Sequence, residues 1–310
     1  MPQLPMITNL MRPGGKLMLA LLLASLATAL PRSQVQHNTY KITTGNFAFF
    51  ALNPNLLPVS PSPVKTPANH FEALALPKTT PHPAKTLSVP IFMFHHAGNA
   101  PPGADPVRRD LTVSAADLDA QMKYLKSAGY HPITQTQLFK ALFMGGGLPS
   151  KPVLITFDDG YLDNFSQALP ILVKYGFPAT FYIISGRVGG RGYLSWEQIK
   201  VMEKDGMDIG SHTVNHQDLS IVSAADLKHE LGDSAKDIGA HLGHPVYWFC
   251  YPSGRFNARV LQVENEDGYL LAATEKWGRK QSSDAPLALS RYRIRNTTGL
   301  EGFKNILQLS

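Results

Sequence analysis

KPVLITFDDGY, residues 151–161, decides the reading of the chain. Residues 153–157 are apolar apart from Thr156, a run of the length expected for a strand buried on both faces. Two carboxylates, Asp158 and Asp159, follow at once, and Gly160 lets the chain turn tightly. Neighbouring residues point in different directions, so one carboxylate can bind a cation while the other stays free to take a proton from water. Asp-Asp-Gly is also an ordinary turn and helix-start sequence, so its meaning depends on what surrounds it.

Working outward, apolar runs suited to strands recur at 91–94, 180–184, 207–209, 246–251, 270–274 and 292–294. Segments of helical spacing lie between them at 115–128, 165–175, 196–204, 224–241 and 258–266, and a closing helix starts at 300. Strands alternating with helices predict a parallel sheet. Several strands end on residues with chemistry: IFMF runs into His95 and His96, VLITF into Asp158 and Asp159, MDIG into Ser211 and His212, and VYWFCY into Pro252, Ser253 and Gly254. Sites in α/β barrels and open sheets form at the carboxyl ends of strands.

His212 and His216 stand four apart in SHTVNH. One helical turn there would put both imidazoles on one face, suited to a shared ion; a cap or a satisfied surface pair is the other reading. With one carboxylate they make a facial set that leaves positions for water and substrate. Zinc is the default ion, and other divalent first-row ions suit the same donors.

VPIFMFHH, KPVLITFDDGY, PATFYI, YLSWEQI, MDIGSHTVNH and FCYPSGRFN, in this order, resemble the polysaccharide deacetylase family, also called the NodB-homology or carbohydrate esterase 4 group. The resemblance spans residues 89–310. FCYP is similar to the branch that deacetylates exopolysaccharide poly-N-acetylglucosamine. The resemblance implies a distorted (β/α) barrel with fewer than eight units, a catalytic base at Asp158, metal ligands at Asp159, His212 and His216, and an N-acetylated sugar polymer as substrate. The chemistry would be attack of an activated water on the acetyl carbonyl, with Asp158 taking its proton and the Ser253 N–H stabilising the oxyanion.

Two positions depart from the family's pattern. Cys250 stands where many members carry an arginine that orients the base; Arg291, Arg293 or Arg295 could supply that charge from a neighbouring strand, or line a solvated edge. No histidine follows His244, and the stretch matching the family's Leu-x-His reads Leu289-Ser290-Arg291. His95 or His96 is the substitute general acid, the alternative being a histidine packed at the barrel mouth. Tyr251, Pro252, Ser253 and Arg291 are the expected substrate contacts. Among aromatics that could stack on sugar rings, Tyr193, Trp196, Tyr251 and Trp277, Tyr251 is the first choice and Trp196 suits the core.

Upstream, the first 36 residues hold no acid, and Arg12 and Lys16 precede an apolar run of 14 residues at 17–30. That order reads as a signal peptide over 1–29, cleaved after Ala29; the run is short of the roughly 20 residues of a membrane span, and an uncleaved anchor is the alternative. Residues 30–88 read as a tether, with nine prolines between 53 and 90, and an apolar patch at 47–52 has no evident place. The expected location is therefore secreted or cell-envelope, with a membrane tether if the N-terminus is retained. Loss of Arg12 and Lys16 lowers the net charge from +6 to +4, and no basic cluster of nucleic-acid type remains. Cys250 is the single cysteine, so no intrachain disulfide forms and the core must hold the domain. An O-acetyl esterase on a polymer such as xylan, and a non-catalytic carbohydrate-binding module, are the rival functions. Polymer and oligomeric state are not legible.

Overall fold

The computed structural model describes Leu74 and residues 84–309; the expected signal segment, most of the tether and the 47–52 patch lie outside the described residues. Among the described residues no helix is long and apolar enough to cross a membrane. The first strand, β1 (Thr86–Ser88), begins just upstream of Val89 because it pairs antiparallel with β11 (Lys280–Ser282).

The expected parallel sheet is present. β2 (Ile91–Phe94), β6 (Pro152–Phe157), β7 (Thr180–Ile183), β8 (Asp208–Ser211), β9 (Trp248–Cys250), β10 (Leu271–Ala273) and β12 (Tyr292–Arg293) run in the order β10-β9-β8-β7-β6-β2-β12, all parallel. The short β5 (His131–Pro132) joins the start of β6, and β3 (His96–Ala97) pairs with β4 (Thr112–Val113). The sheet curls until its edges nearly meet. Leu289 bridges to Ala273 on one edge while Tyr292 and Arg293 pair with Phe92 and Met93 on the other, so residues 289–293 form a seam. The result is the distorted (β/α) barrel with fewer than eight units.

Alternation along the strands sorts side chains into two cores. Phe92, Phe94, Val153, Ile155, Phe157, Phe181 and Phe249 face outward, against Leu118, Met122 and Leu125 of the helix Ala115–Ser127 and Ile199 and Met202 of the helix Trp196–Lys204. Ile91, Leu154, Tyr182, Trp248, Cys250 and Leu271 point into the lumen, where Leu138, Phe139 and Leu142 of the helix Gln135–Phe143 join them. That helix is absent from the sequence reading, although Thr134 and Gln137 form a reciprocal capping box at its start. Trp196–Lys204 and Ala258–Glu266 fall where the spacing predicts them. The predicted helices over 165–175 and 224–241 each carry a wider π-type turn, at Asn164–Ala168 and His229–Asp233.

Asp208, at the start of β8, accepts the Gln135 backbone N–H at 2.7 Å and ties that helix to the barrel. Burial raises its carboxyl pKa to about 7, with the Gln135 hydrogen bond opposing and the charge of Glu203 adding. The folded protein thus holds this proton more tightly than the unfolded chain, whose carboxyl titrates near 3.8. Stability from this group is largest below about pH 4 and falls as pH rises through about 7. Urea midpoints measured from pH 4 to 8 are expected to decline less steeply in Asp208→Asn, which keeps an acceptor for Gln135 and cannot ionise.

Candidate active site and metal centre

The alternation that points Leu154 into the lumen also points Thr156 and Asp158 there, at the carboxyl end of β6. Asp158 is 2% exposed and Arg291, from the seam, 1%. They meet as a two-point pair, Arg291 Nη1 on Asp158 Oδ1 at 2.7 Å and Nη2 on Oδ2 at 2.8 Å. The guanidinium also donates to Thr156 Oγ1 (3.1 Å), to the Thr274 carbonyl (2.8 Å) and to Cys250 Sγ (3.1 Å), so all three of its nitrogens are engaged. Burial pushes the Asp158 carboxyl up, but Arg291, with His95 and His212, outweighs it and holds the group below its usual range. Of the three candidate arginines only Arg291 turns inward; Arg293 pairs with Glu275 and Arg295 with Asp110. Arg291 has no surface left for a substrate, so its expected place among the substrate contacts gives way to holding Asp158.

Asp159 takes a left-handed backbone conformation (φ 78°), as does Gly160 (φ 71°), and the turn sends the second carboxylate away from the first. It reaches His212 and His216. Both Nε2 atoms lie 3.4 Å from Asp159 Oδ1. The two rings stand nearly edge-on, with centroids 4.8 Å apart. The expected helical turn is not what brings them together: residues 212–216 form an irregular bend in which Thr213 and His216 are left-handed (φ 68° and 62°).

These three residues fit a divalent ion. One donor atom from each lies within 4.8 Å of the others. An edge of about 3.4 Å is also what tetrahedral ligands at about 2.0–2.1 Å from a common centre require. His212 Nδ1–H donates to the Cys250 carbonyl at 2.6 Å, which fixes the ring and aims Nε2 at the carboxylate. The electrostatics ask for positive charge here. Burial opposes a charge on His212, yet Cys250 and Asp159 raise its pKa well above the imidazole norm, whereas burial and then His212 lower that of His216. A second cluster, Asp158, His212 and Cys250, fits less well. Arg291 occupies Asp158, and burial raises the Cys250 thiol away from the thiolate a metal prefers.

His95 closes the site, 7% exposed, with Nε2 4.0 Å from Asp158 Oδ2 and a pKa lowered by burial. His96 turns away to Asp163 (2.8 Å), which Arg108 also binds, and stacks on Tyr161. Tyr251 does not line the groove as expected. It is 1% exposed, its hydroxyl bonded to the Leu287 carbonyl (2.9 Å) and to buried Glu264, because strand parity places it with Phe249 in the outward-facing core. In the turn that follows, Pro252 is buried and Ser253 exposed. The amides of Tyr251, Gly254 and Arg255 bond to the carbonyls of Ala273, Tyr251 and Pro252, and the Ser253 N–H has no backbone acceptor among the described residues. Trp196 stacks on His241 against the core, as expected; Tyr193 leans on Tyr161, and Trp277 is 60% exposed. Motif spacing does not mark Glu230, which is fully buried and receives hydrogen bonds from Asn215 and Gln217 on the bend; the only trace is an acid inside an amphipathic segment.

The family profile described as "Polysaccharide deacetylase" matches residues 145–272. The protein YxkH of Bacillus subtilis (strain 168) is 32% identical over 218 residues, 70% of this chain and 75% of that one. A poly-beta-1,6-N-acetyl-D-glucosamine N-deacetylase of Staphylococcus aureus (strain MSSA476) is 28% identical over 239 residues, 72% of this chain and 79% of its own. Among solved structures, the Streptococcus pyogenes deacetylase PplD in complex with acetate superposes with a TM-score of 0.67 at 30% identity, covering 73% of this chain and 100% of that one.

The pair between Asp158 and Arg291 yields its own test. Arg291→Met keeps the bulk and strands a buried carboxylate, so denaturant unfolding is expected to show a loss of about 3–5 kcal/mol.

Proposed function

This chain belongs to the polysaccharide deacetylase family, and from that premise we propose that it is a metal-dependent N-deacetylase acting on an N-acetylglucosamine polymer of the cell envelope or exopolysaccharide. The observation that carries the reading is a buried carboxylate, Asp158, held by Arg291 beside three convergent donors, Asp159, His212 and His216. A module that only bound carbohydrate would have no need of that carboxylate. The Staphylococcus aureus relative, named for poly-beta-1,6-N-acetyl-D-glucosamine, favours an N-acetylated sugar polymer over xylan.

A divalent ion on Asp159, His212 and His216, with zinc the first choice, would supply Lewis-acid polarisation of the acetyl carbonyl and acidify a water. The rest falls to side chains and backbone. Arg291 keeps Asp158 ionised and fixes both its oxygens, so that it takes the proton of the attacking water. The water oxygen bonds to the acetyl carbon, and the Ser253 N–H donates to the oxyanion that develops. The C–N bond then breaks, His95 relays to the departing sugar amine the proton that Asp158 took from the water, and acetate leaves with Asp158 ionised again. His95 suits that step because it stands 4.0 Å from Asp158 and no later histidine follows His244. The N-terminal 29 residues would export the domain, and where they are retained the stretch ahead of β1 would space it from the membrane.

Acetate release from β-1,6-linked and β-1,4-linked N-acetylglucosamine oligomers and from acetylated xylan tests the proposal. The N-acetylglucosamine oligomers are expected to release acetate, chelation to abolish that release and zinc to restore it. Asp158→Asn is expected to cut kcat by about 100- to 10,000-fold. Release of acetate from xylan alone would favour the esterase reading, and turnover indifferent to chelator would overturn the metal-dependent one.

A further inference from the structure

Glu230 is not a donor in the three-residue cluster, yet its carboxylate holds the bend on which two of those donors sit. It is 0% exposed, in the π-type turn His229–Asp233. Its Oε2 accepts the Asn215 backbone N–H at 2.8 Å, and its Oε1 accepts Asn215 Nδ2 at 2.8 Å and Gln217 Nε2 at 3.0 Å. Asn215 and Gln217 flank His216 in sequence. All three contacts are N–H donors, so the position calls for a group that only accepts, as an ionised carboxylate does. An isolated buried carboxylate is costly, and these charge-assisted bonds are what compensate it.

The bend cannot hold its shape by regular structure. Thr213 and His216 sit in the left-handed region, a conformation that non-glycine residues keep only where the surroundings impose it. Short-range bonds supply part of that constraint: His216 N–H to Thr213 Oγ1 (2.8 Å) and Thr213 N–H to Ser211 Oγ (3.2 Å). One wall is made by Ser185 and Gly186, whose N–H groups bond to the carbonyls of Thr213 and Val214 at 3.0 Å. A side chain at Gly186 would put its Cβ 2.6 Å from the Val214 oxygen, so that wall is fitted closely. Glu230 adds a second wall, a single buried side chain that accepts three hydrogen bonds from the two residues flanking His216. The same π-type turn is followed at once by Ser234, whose Oγ lies 2.8 Å from Ser211 Oγ at the start of the bend.

We propose that Glu230 is a positioning residue of the metal centre, pre-forming the 212–217 bend so that His216 meets Asp159 and His212 without reorganisation on binding. His216 has most need of this, since its side chain is 36% exposed while that of His212 is 2% exposed and pinned to the Cys250 carbonyl. The inference rests on the metal-centre reading above.

The test is zinc titration of the metal-stripped full-length protein at fixed pH, with the absorption spectrum of the cobalt-substituted form as a second readout. Glu230→Gln has the same length but turns an N–H₂ toward donors. It is expected to weaken zinc binding by about 10- to 100-fold and to alter the cobalt ligand-field bands. Asn215→Ala removes one of the three bonds from an exposed residue, and a several-fold loss is expected; it decides the matter if Glu230→Gln does not fold. Wild-type affinity and unchanged cobalt bands in a folded Glu230→Gln, or in Asn215→Ala where that variant decides, would overturn the proposal. A wild-type protein that binds neither ion would instead overturn the metal-centre reading itself.

Discussion

The paired hydrogen bonds between Arg291 and Asp158 are the constraint on which the rest of the site depends. They join the seam to β6, an interior strand of the parallel sheet, inside a lumen otherwise filled by Tyr182, Trp248, Leu154 and Leu271. Such a pair is poor value as net stabilisation, because desolvating both ions costs about as much as their attraction returns. Its worth lies in specificity. A slip of one residue in the seam would turn Arg291 out of the lumen and leave a bare carboxylate within it. The barrel therefore closes in one register, and that register is the one in which Asp158 is ionised and immobile.

Asp159, one residue on, obeys the opposite logic. Its left-handed backbone swings the carboxylate out of the arginine's reach and toward two imidazoles, so adjacent aspartates of identical chemistry acquire different partners. Burial would raise the Asp159 pKa, but His212, His95 and His216 together hold it well below the normal carboxylate range. Asp158 has its cation built into the chain, whereas Asp159 shares a site whose positive charge can be exchanged. That division is what a hydrolase needs from two carboxylates: one fixed in its ionised form, the other free to take a ligand's charge.

Much of this was legible in the sequence, for physical reasons that differ by element. Strands buried on both faces announce themselves as apolar runs, and the chemistry at their carboxyl ends followed from the topology, which is why Asp158, Asp159, His212 and His216 could be singled out. The helix Gln135–Phe143 stayed hidden because it packs into the lumen and lacks an amphipathic stripe long enough to see, though its capping box was there to be read. The helical turn expected at 212–216 is absent because tertiary hydrogen bonds, donated by Ser185 and Gly186 and accepted by Glu230, override local spacing. Tyr251 misled for a related reason. An aromatic beside a catalytic turn looks like a sugar platform, but strand parity put its ring in the core. Arg291 could be shortlisted with Arg293 and Arg295 but not chosen, since the choice depends on which residue of the seam faces inward.

The seam also bears on how the molecule comes into being. Asp158 and Arg291 are 133 residues apart, and β2, near the start of the domain, takes β12 as its outer neighbour only after nearly all the intervening chain exists. Until then β2 is an open sheet edge and Asp158 lies in an unclosed lumen without its counter-ion. Contacts of such long separation form late in folding. A nascent or truncated chain can hence own Asp159, His212 and His216 and still lack the partner that holds Asp158, so that the cluster is complete only when the barrel closes.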